Sequence, residues 1–200
     1  MKMMSKDMLK KSFEDSNGIL RTSELNKIGL SSRQITKLVE EKRLVKLKNG
    51  VYRHSEIEVK EEIIIAKLFP GAVLFLESAL ERYGYLKEEK NGWKIAVDRD
   101  SAKSKYRLNE MTILPFYLER KYLEIGITEC LVDGVPVLVY DKEKTVCDCL
   151  KYKNKLNPKV YKDALLGYIT DKEKNVDKLM EYAKLLRVEM KVKNCLEMWL

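Results

Sequence analysis

A short hairpin pattern restricts the fold of this 200-residue chain more than any other stretch of its sequence. The segment LVKLKNGVYRH, residues 44–54, alternates apolar and polar residues on both sides of Asn49-Gly50. An Asn-Gly pair supplies the two positive-φ positions of a type I′ turn, the connection that suits a two-residue hairpin. The sequence therefore predicts an antiparallel hairpin in which Val45 and Leu47 face a core.

Three helical patterns precede this hairpin. The first carries apolar residues at helical spacing and stops at Gly18. The second is barely two turns long and runs from an N-cap at Thr22 to Gly29. The third opens with Ser31-x-x-Gln34, the spacing of a capping box. Two short helices joined by a tight turn and followed by a hairpin predict a winged helix-turn-helix domain, which binds DNA.

The third helix is the predicted recognition helix, because its apolar residues share one face and its basic residues point away from it. The N-terminal residues of such a helix lead into the major groove, and the wing lies against the sugar-phosphate backbone. The predicted groove contacts are Ser32, Arg33, Gln34 and Lys37. The predicted phosphate contacts from the helix flank and the wing are Thr36, Lys46, Lys48 and Arg53.

The charge distribution favours the same segment as a DNA-binding surface. Residues 1–55 hold 13 Lys/Arg and 6 Asp/Glu, a balance of +7, whereas residues 56–200 hold 26 and 25, a balance of +1. A polyanion is therefore attracted to the first quarter of the chain. No apolar run reaches the roughly 20 residues of a membrane span, and the start lacks the pattern of a secretory signal. We expect a soluble, cytoplasmic protein with no membrane partner.

The cysteines and the single histidine do not form a recognisable reactive site. Cys130, Cys147, Cys149 and Cys195 have neither the spacing of zinc ligands nor the pattern of a disulfide framework. A cysteine nucleophile needs a nearby base, and His54 belongs to the predicted wing. We expect reduced thiols, a solvated His54 at the end of a strand, no metal and no cofactor.

The polar stretch after His54 predicts a domain boundary, with a winged helix-turn-helix domain in residues 1–55 and a second domain in residues 56–200. The second domain mixes helical and strand patterns, with a β-hairpin at Asp133-Gly134 and helix starts at Asp141 and Asn157. The predicted fold class is α+β: the N-terminal winged helix-turn-helix is followed by a mixed α/β domain with a small sheet and a helical C-terminal part. Further capping boxes are predicted at Ser78-x-x-Glu81 and Thr170-x-x-Glu173.

Two polar patterns in the second domain could indicate a functional site. Asp98-x-Asp100 ends a predicted strand, where two carboxylates on one face could share a divalent cation, but no phosphate-binding glycine loop precedes it. The basic stretch RDSAKSKYR is either ordinary solvated surface, an auxiliary DNA-contacting face or a docking face for an acidic partner. Its basic residues are Arg99, Lys103, Lys105 and Arg107.

The stretch GILRTSELNKIGLSSRQITKLVEEKRLVKLKNGVYRH resembles the N-terminal winged helix of the AbiEi-type antitoxins of bacterial abortive-infection (type IV) toxin–antitoxin systems. The segments LFPGAVLFLESAL and VPVLVYDKEKTVCDCL extend the resemblance towards the C-terminus. The resemblance implies an antitoxin that represses its own operon at inverted repeats in the promoter. It also implies a C-terminal domain that counters a nucleotidyltransferase-type toxin and a role in limiting phage spread.

Two alternatives stay open from the sequence. One is a metal-dependent nucleotidyltransferase or nuclease that uses Asp98 and Asp100 and carries a DNA-targeting domain. The other is a ligand-sensing transcriptional regulator without a toxin partner. We favour the non-enzymatic antitoxin that the resemblance implies. DNA binding by this protein is also indicated by the residues themselves, because the capped basic helix, the basic hairpin and the charge of +7 coincide in one segment.

Overall fold

The computed structural model describes residues 6–87 and 91–196 of the chain. These residues divide into two compact units. The first unit comprises the described residues up to Leu68 together with Arg107–Met111, and the second comprises the described residues from Phe69 to Tyr106 and from Thr112 onwards. The first unit thus runs past residue 55, and the functional boundary drawn there from the sequence stays a prediction.

The first unit has the order of elements expected of a winged helix. Its elements are α1 (Lys6–Glu14), β1 (Ile19–Arg21), α2 (Thr22–Lys27), α3 (Ser32–Glu40), β2 (Leu44–Lys48), β3 (Val51–His54) and α4 (Glu61–Leu68). The strands form an antiparallel sheet in the order β1-β3-β2, so β2 is an edge strand. One apolar core joins the three helices to this sheet, and it contains Leu9, Phe13, Leu20, Leu25, Leu30, Ile35, Leu38 and Leu44.

The hairpin forms as predicted, but its turn differs from type I′. Gly50 has a φ of +74°, whereas Asn49 is not among the residues with positive φ. The pairing register shifts between Lys46 and Lys48, so the hairpin contains a bulge. An extra residue in one strand moves the following side chains to the other face. Leu44 faces the core before the bulge, and Leu47 is buried at the bulge instead of facing solvent. Val45, predicted to face the core, follows Leu44 in the regular part of the strand and is only half-buried.

The prediction of a solvated His54 is wrong, because only 4% of this residue is exposed. Its ring packs at 5.7 Å from the ring of Phe13, measured between centroids. The Nδ1 atom accepts a hydrogen bond of 3.2 Å from the backbone N–H of Glu56. Burial lowers the pKa of His54 below its ordinary value of 6.5. The residue is therefore part of the core under the wing.

The second unit contains a mixed sheet of five strands, which confirms the predicted α+β class. Its elements are β4 (Val73–Leu74), α5 (Glu77–Arg82), β5 (Trp93–Asp98), β6 (Ile113–Leu118), α6 (Arg120–Leu123), β7 (Ile127–Val132), β8 (Val135–Tyr140), α7 (Lys142–Lys151), α8 (Pro158–Thr170), α9 (Val176–Leu185) and α10 (Glu189–Leu196). Two 3-10 turns add Lys103–Tyr106 and Lys153–Lys155. The sheet order is β6-β5-β4-β8-β7.

Several predicted helix starts of the second unit are confirmed and others are wrong. The Asp141 side chain accepts from the N–H of Lys144, and that of Asn157 accepts from the N–H of Lys159, as their N-cap positions predict. The predicted boxes at Ser78 and Thr170 do not cap helices, because α5 begins at Glu77 and α8 continues to Thr170. The Ser78 hydroxyl instead accepts a hydrogen bond from the backbone N–H of Lys94, which ties α5 to β5.

Helix α7 lies in the centre of the second unit. It contributes Val146, Cys147, Cys149 and Leu150 to a core that also includes residues of the sheet, α8 and α9. The four cysteines are free thiols, as predicted, and Cys147 and Cys149 are buried. Burial raises the pKa of both buried thiols above the ordinary value of 9.0. A raised pKa removes the thiolate that nucleophilic chemistry requires.

Candidate nucleic-acid interface

The start of α3 is held by the reciprocal capping box that the sequence predicts. The Gln34 side-chain oxygen accepts from the backbone N–H of Ser31 at 2.9 Å and from its hydroxyl at 2.9 Å. The Ser31 hydroxyl in turn accepts from the backbone N–H of Gln34 at 3.3 Å. This arrangement fixes the direction in which the helix begins, and a helix N-terminus carries a partial positive charge that attracts phosphate.

Four of the predicted contact residues on α3 are exposed, namely Ser32, Arg33, Thr36 and Lys37. The Thr36 hydroxyl donates to the carbonyl of Ser32 at 3.1 Å, and the Lys37 ammonium lies 3.7 Å from a carboxylate oxygen of Glu41. An exposed i,i+4 pair of this kind is weak and gives way readily to another anion. The first turns of α3 therefore present a basic and hydroxyl-bearing surface.

Gln34 differs from its neighbours, since it is half-buried and its side-chain oxygen is used by the cap. Its amide nitrogen is left as the donor with which it could read a base edge. A cavity of about 210 Å³ lies beside it and is lined by α1, α3 and the residues after α3.

The three cations of the wing have different surroundings. Lys46 is exposed. The Lys48 ammonium donates to the carbonyl of Leu68 at 3.4 Å, at the C-terminal end of α4, where a cation is favoured by the helix dipole. The Arg53 guanidinium is paired with the carboxylate of Glu110. Two of the three predicted phosphate-binding groups thus have acceptors within the first unit.

Sequence reasoning missed the segment 107–111, which belongs to the first unit although it lies far from the wing in sequence. The backbone N–H of Asn109 donates to the carbonyl of Leu47 at 3.2 Å, and its side-chain amide donates to the carbonyl of Lys46 at 3.1 Å. We call residues 107–111 the wing strap. A segment of only five residues, Arg107–Met111, is too short to show a periodic pattern, so nothing in the sequence signals this contact.

The four residues predicted as a possible auxiliary basic face are divided between the two units. Arg107 belongs to the wing strap, whereas Arg99, Lys103 and Lys105 belong to the second unit. Arg99 lies 3.2 Å from a carboxylate oxygen of Glu119, and the Lys105 ammonium lies 5.6 Å from the centre of the Tyr106 ring. The role of these residues in DNA binding stays a prediction.

A polar cavity of about 470 Å³ lies in the second unit, next to the N-termini of α7 and α9. Asp141 is paired with Lys178 at 2.9 Å and accepts a hydrogen bond from the Tyr182 hydroxyl at 3.1 Å. A Glu143 oxygen accepts from the backbone N–H of Asn175 at 2.9 Å. These contacts join the start of α7 to α9, so they give Asp141 and Glu143 a structural role.

A buried ion pair lies further along α7. The Lys144 ammonium is 2.6 Å from a carboxylate oxygen of Asp148, and both residues are almost fully buried. The ammonium also lies 4.0 Å from the centre of the Tyr140 ring, a cation–π contact. Burial raises the pKa of Asp148 despite the attraction of Lys144.

In the sequence motif Asp98-x-Asp100, the carboxylate of Asp98 stabilises a local turn with the backbone of Asp100. The Asp98 side chain accepts a hydrogen bond of 2.8 Å from the backbone N–H of Asp100. Asp residues stabilise turns in this way without any ligand. Across residues 6–87 and 91–196, no group of three or more His, Cys, Asp or Glu residues is arranged to hold a metal ion.

The capped α3, the three-stranded sheet and the bulged hairpin define the first unit as a winged helix-turn-helix, a class of fold that binds duplex DNA through its third helix and wing. Residues 7–53 match the family model described as a transcriptional regulator, AbiEi antitoxin. This match confirms the resemblance of the N-terminal segment to the AbiEi-type antitoxins.

The fold of most of the chain is also similar to that of a solved structure. The crystal structure of the RV2827C protein from Mycobacterium tuberculosis is similar with a TM-score of 0.66, at 12% sequence identity, over 94% of this chain and 79% of that chain. At this identity the similarity concerns the fold alone. No curated protein matches the sequence. In the described part of the chain, no helix is both long and apolar enough to cross a membrane.

Proposed function

We propose that this protein is an antitoxin that represses its own operon by binding inverted repeats in the promoter through its winged helix. The observation that carries the proposal is the capped N-terminus of α3, which presents Ser32, Arg33 and Lys37 to solvent in a segment with a charge balance of +7. A regulator needs a rigid helix end with exposed base-reading groups, and the capping box provides that end. The match of residues 7–53 to a family of regulators supports the same function.

In the proposed complex Arg33 donates to base edges in the major groove, and Ser32, Gln34 and Lys37 make further groove contacts. An Arg side chain forms two hydrogen bonds with guanine, the most frequent specific contact in protein–DNA complexes. Thr36 and the wing residues Lys46, Lys48 and Arg53 contact phosphates. With about 4 to 6 phosphate contacts, the logarithm of the binding constant falls with the logarithm of salt concentration at a slope of about −4 to −5.

The proposal extends to a second, non-enzymatic activity in the remainder of the chain. Residues 56–200 are proposed to counter a nucleotidyltransferase-type toxin in the cytoplasm, and the pair is proposed to limit phage spread. This part of the proposal rests on what the resemblance to the AbiEi-type antitoxins implies, and the match of residues 7–53 to an antitoxin family supports it. Whether antagonism uses direct contact with the toxin is a question for experiment.

The DNA-binding proposal is tested by titrating the full-length protein against the DNA upstream of its gene at several salt concentrations. Arg33→Ala is expected to lose discrimination between this DNA and an unrelated duplex. Lys46→Ala is expected to weaken binding to both duplexes alike and to reduce the salt slope by about 1. Lys11→Ala, which removes one exposed charge from α1, is the matched control and is expected to bind as the unchanged protein does. Binding of the unchanged protein without salt dependence would refute the proposal.

The antitoxin proposal is tested in cells that express a nucleotidyltransferase encoded beside this gene. The full-length protein is expected to rescue growth, and Arg33→Ala is expected to rescue equally well while losing repression of a promoter fusion. This combination would separate antitoxicity from DNA binding. Failure of the unchanged protein to restore growth would remove the antitoxin part and leave the repressor part standing.

A further inference from the structure

The contact between the wing and the wing strap joins a guanidinium to a carboxylate at two points. The Nε atom of Arg53 donates to one oxygen of Glu110 at 2.9 Å, and a terminal nitrogen of the guanidinium donates to the other oxygen at 3.4 Å. The side chains are 24% and 36% exposed, so solvent ions reach the pair. Paired hydrogen bonds of this geometry are the way in which Arg holds carboxylates and phosphates alike.

The position of Glu110 is fixed by its neighbour on the wing strap. Asn109 donates from its backbone and from its side chain to consecutive carbonyls of β2, at Leu47 and Lys46. These carbonyls are accessible because β2 is the edge of the three-stranded sheet. The wing strap therefore contacts both strands of the hairpin and places a carboxylate on the cation that the wing is proposed to offer to DNA.

We propose that Glu110 is an internal competitor of DNA phosphate for Arg53, and that the wing strap thereby lowers the affinity of the protein for DNA. The inference rests on the proposed function of the winged helix. A phosphate that approaches Arg53 displaces the Glu110 carboxylate, and the displaced negative charge stays close to the negative backbone. Both effects oppose DNA binding, and both are removed when Glu110 is replaced by an uncharged residue.

The perturbation is Glu110→Gln, which keeps the shape of the side chain and removes its charge. Binding to the upstream DNA is expected to strengthen about three- to tenfold near 0.1 M salt, since an exposed ion pair and one phosphate contact each contribute modestly. The slope of the logarithmic salt plot is expected to steepen by up to about 0.9, the value for one complete phosphate contact, because Glu110 weakens the contact of Arg53 with its phosphate in the unchanged protein. Glu58→Gln removes the same charge from another exposed residue of the first unit, and a change below about twofold is expected.

A double-mutant cycle separates competition from a general charge effect. Arg53→Gln is expected to reduce affinity less in the unchanged protein, where phosphate must first displace Glu110 from Arg53, than in the Glu110→Gln variant. In the Glu110→Gln background the same change is expected to remove the whole gain. Asn109→Ala, which removes the side-chain hydrogen bond to Lys46 but keeps the backbone bond to Leu47 and the carboxylate, is expected to strengthen binding by a smaller factor. Circular dichroism of each variant checks that the fold is kept.

The outcomes distinguish this inference from the proposed function. If the unchanged protein binds its upstream DNA and Glu110→Gln binds equally or more weakly, the wing strap serves the structure of the wing and the inference is wrong, although the repressor proposal stands. Weaker binding of Asn109→Ala would likewise overturn it. If the Glu110→Gln variant binds and the unchanged protein does not, the competition is confirmed in its strongest form. If neither protein binds in a salt-dependent manner, both proposals fail.

Discussion

Replacement of Lys144 by Met removes the positive member of an ion pair in the interior of the second unit. The ammonium and the Asp148 carboxylate are 2.6 Å apart, with side-chain exposures of 0% and 1%. Met fills a similar volume without a charge, so packing changes little. The substitution leaves Asp148 without its counter-charge, and the second carboxylate oxygen already has no hydrogen-bond partner within the described residues.

The size of the effect follows from two opposing contributions. At the observed 2.6 Å the attraction between the charges is about 6 kcal/mol for an effective dielectric constant of about 20. Removal of each ion from water costs several kcal/mol, and loss of one partner leaves that cost uncompensated for the other. We expect Lys144→Met to reduce the free energy of unfolding by about 3–5 kcal/mol, which corresponds to a decrease in Tm of roughly 10 °C.

Calorimetry of the full-length protein measures this decrease, and the chain offers a matched control. The pair Arg120–Glu124 has the same i,i+4 spacing and a similar distance of 2.7 Å, but its side chains are 81% and 60% exposed. Glu124→Gln is expected to leave Tm unchanged within error, because solvent screens an exposed pair. The double variant Lys144→Met with Asp148→Leu is expected to regain most of the loss, since an apolar pair carries no desolvation cost.

The pH dependence of the stability that Lys144→Met loses provides a second check. Burial raises the pKa of Asp148, and removal of Lys144 takes away the main interaction that lowers it. A carboxyl group whose pKa is higher in the folded protein binds its proton more tightly there, so stability falls as pH rises above the unfolded value of about 3.9. The deficit of Lys144→Met is therefore smallest in acid. A deficit that grows in acid, or a variant as stable as Glu124→Gln, would refute the reasoning.

Three further predictions concern other positions of the two units. Gly167→Ala places a Cβ atom 2.7 Å from the ring of Tyr85. Although Ala favours helix, urea unfolding should show that the free energy of unfolding falls by about 1–3 kcal/mol, and a more stable variant would contradict this prediction. The pKa of His54 is lower in the folded protein than in the unfolded chain, so the unfolded chain binds the proton more tightly and stability falls as pH falls below about 6.5. Melting temperatures of His54→Asn should not show this pH dependence. Ser31→Ala removes the cap of α3 and should cost about 1 kcal/mol in denaturant unfolding, whereas the neighbouring Ser32→Ala should cost much less.

Local patterns predicted the winged helix well, because its signals lie between neighbouring residues. The capping box at Ser31 and Gln34 forms as its spacing predicts, and the hairpin closes at Asn49-Gly50. The predicted turn type was wrong because β2 contains a bulge next to the turn. Whether a bulge forms depends on which side chains of the strand pack into the core, which a local pattern does not show. The burial of His54 could not be predicted from a local pattern either, because the residue packs against Phe13, which is distant in sequence.

The second unit shows where capping patterns mislead. Ser78-x-x-Glu81 has the spacing of a capping box, yet the Ser78 hydroxyl accepts a hydrogen bond from the backbone of β5, and α5 starts two residues earlier than the box predicts. The residue before that helix, Leu76, has a φ of +47°, which is unusual for a residue with a bulky side chain. Tertiary contacts between α5 and the sheet decided this geometry over the local preference.

By itself the sequence determined the helices and hairpin of the winged helix, the exposed basic end of α3 and the unequal distribution of charge between the two parts of the chain. These properties depend on side-chain spacing and on capping groups a few residues apart. The tertiary structure alone decided that residues 107–111 join the wing and that Glu110 pairs with Arg53, 57 positions away in the chain. Pairing over such a distance is set by the packing of the whole unit, because no interaction between neighbouring residues encodes it.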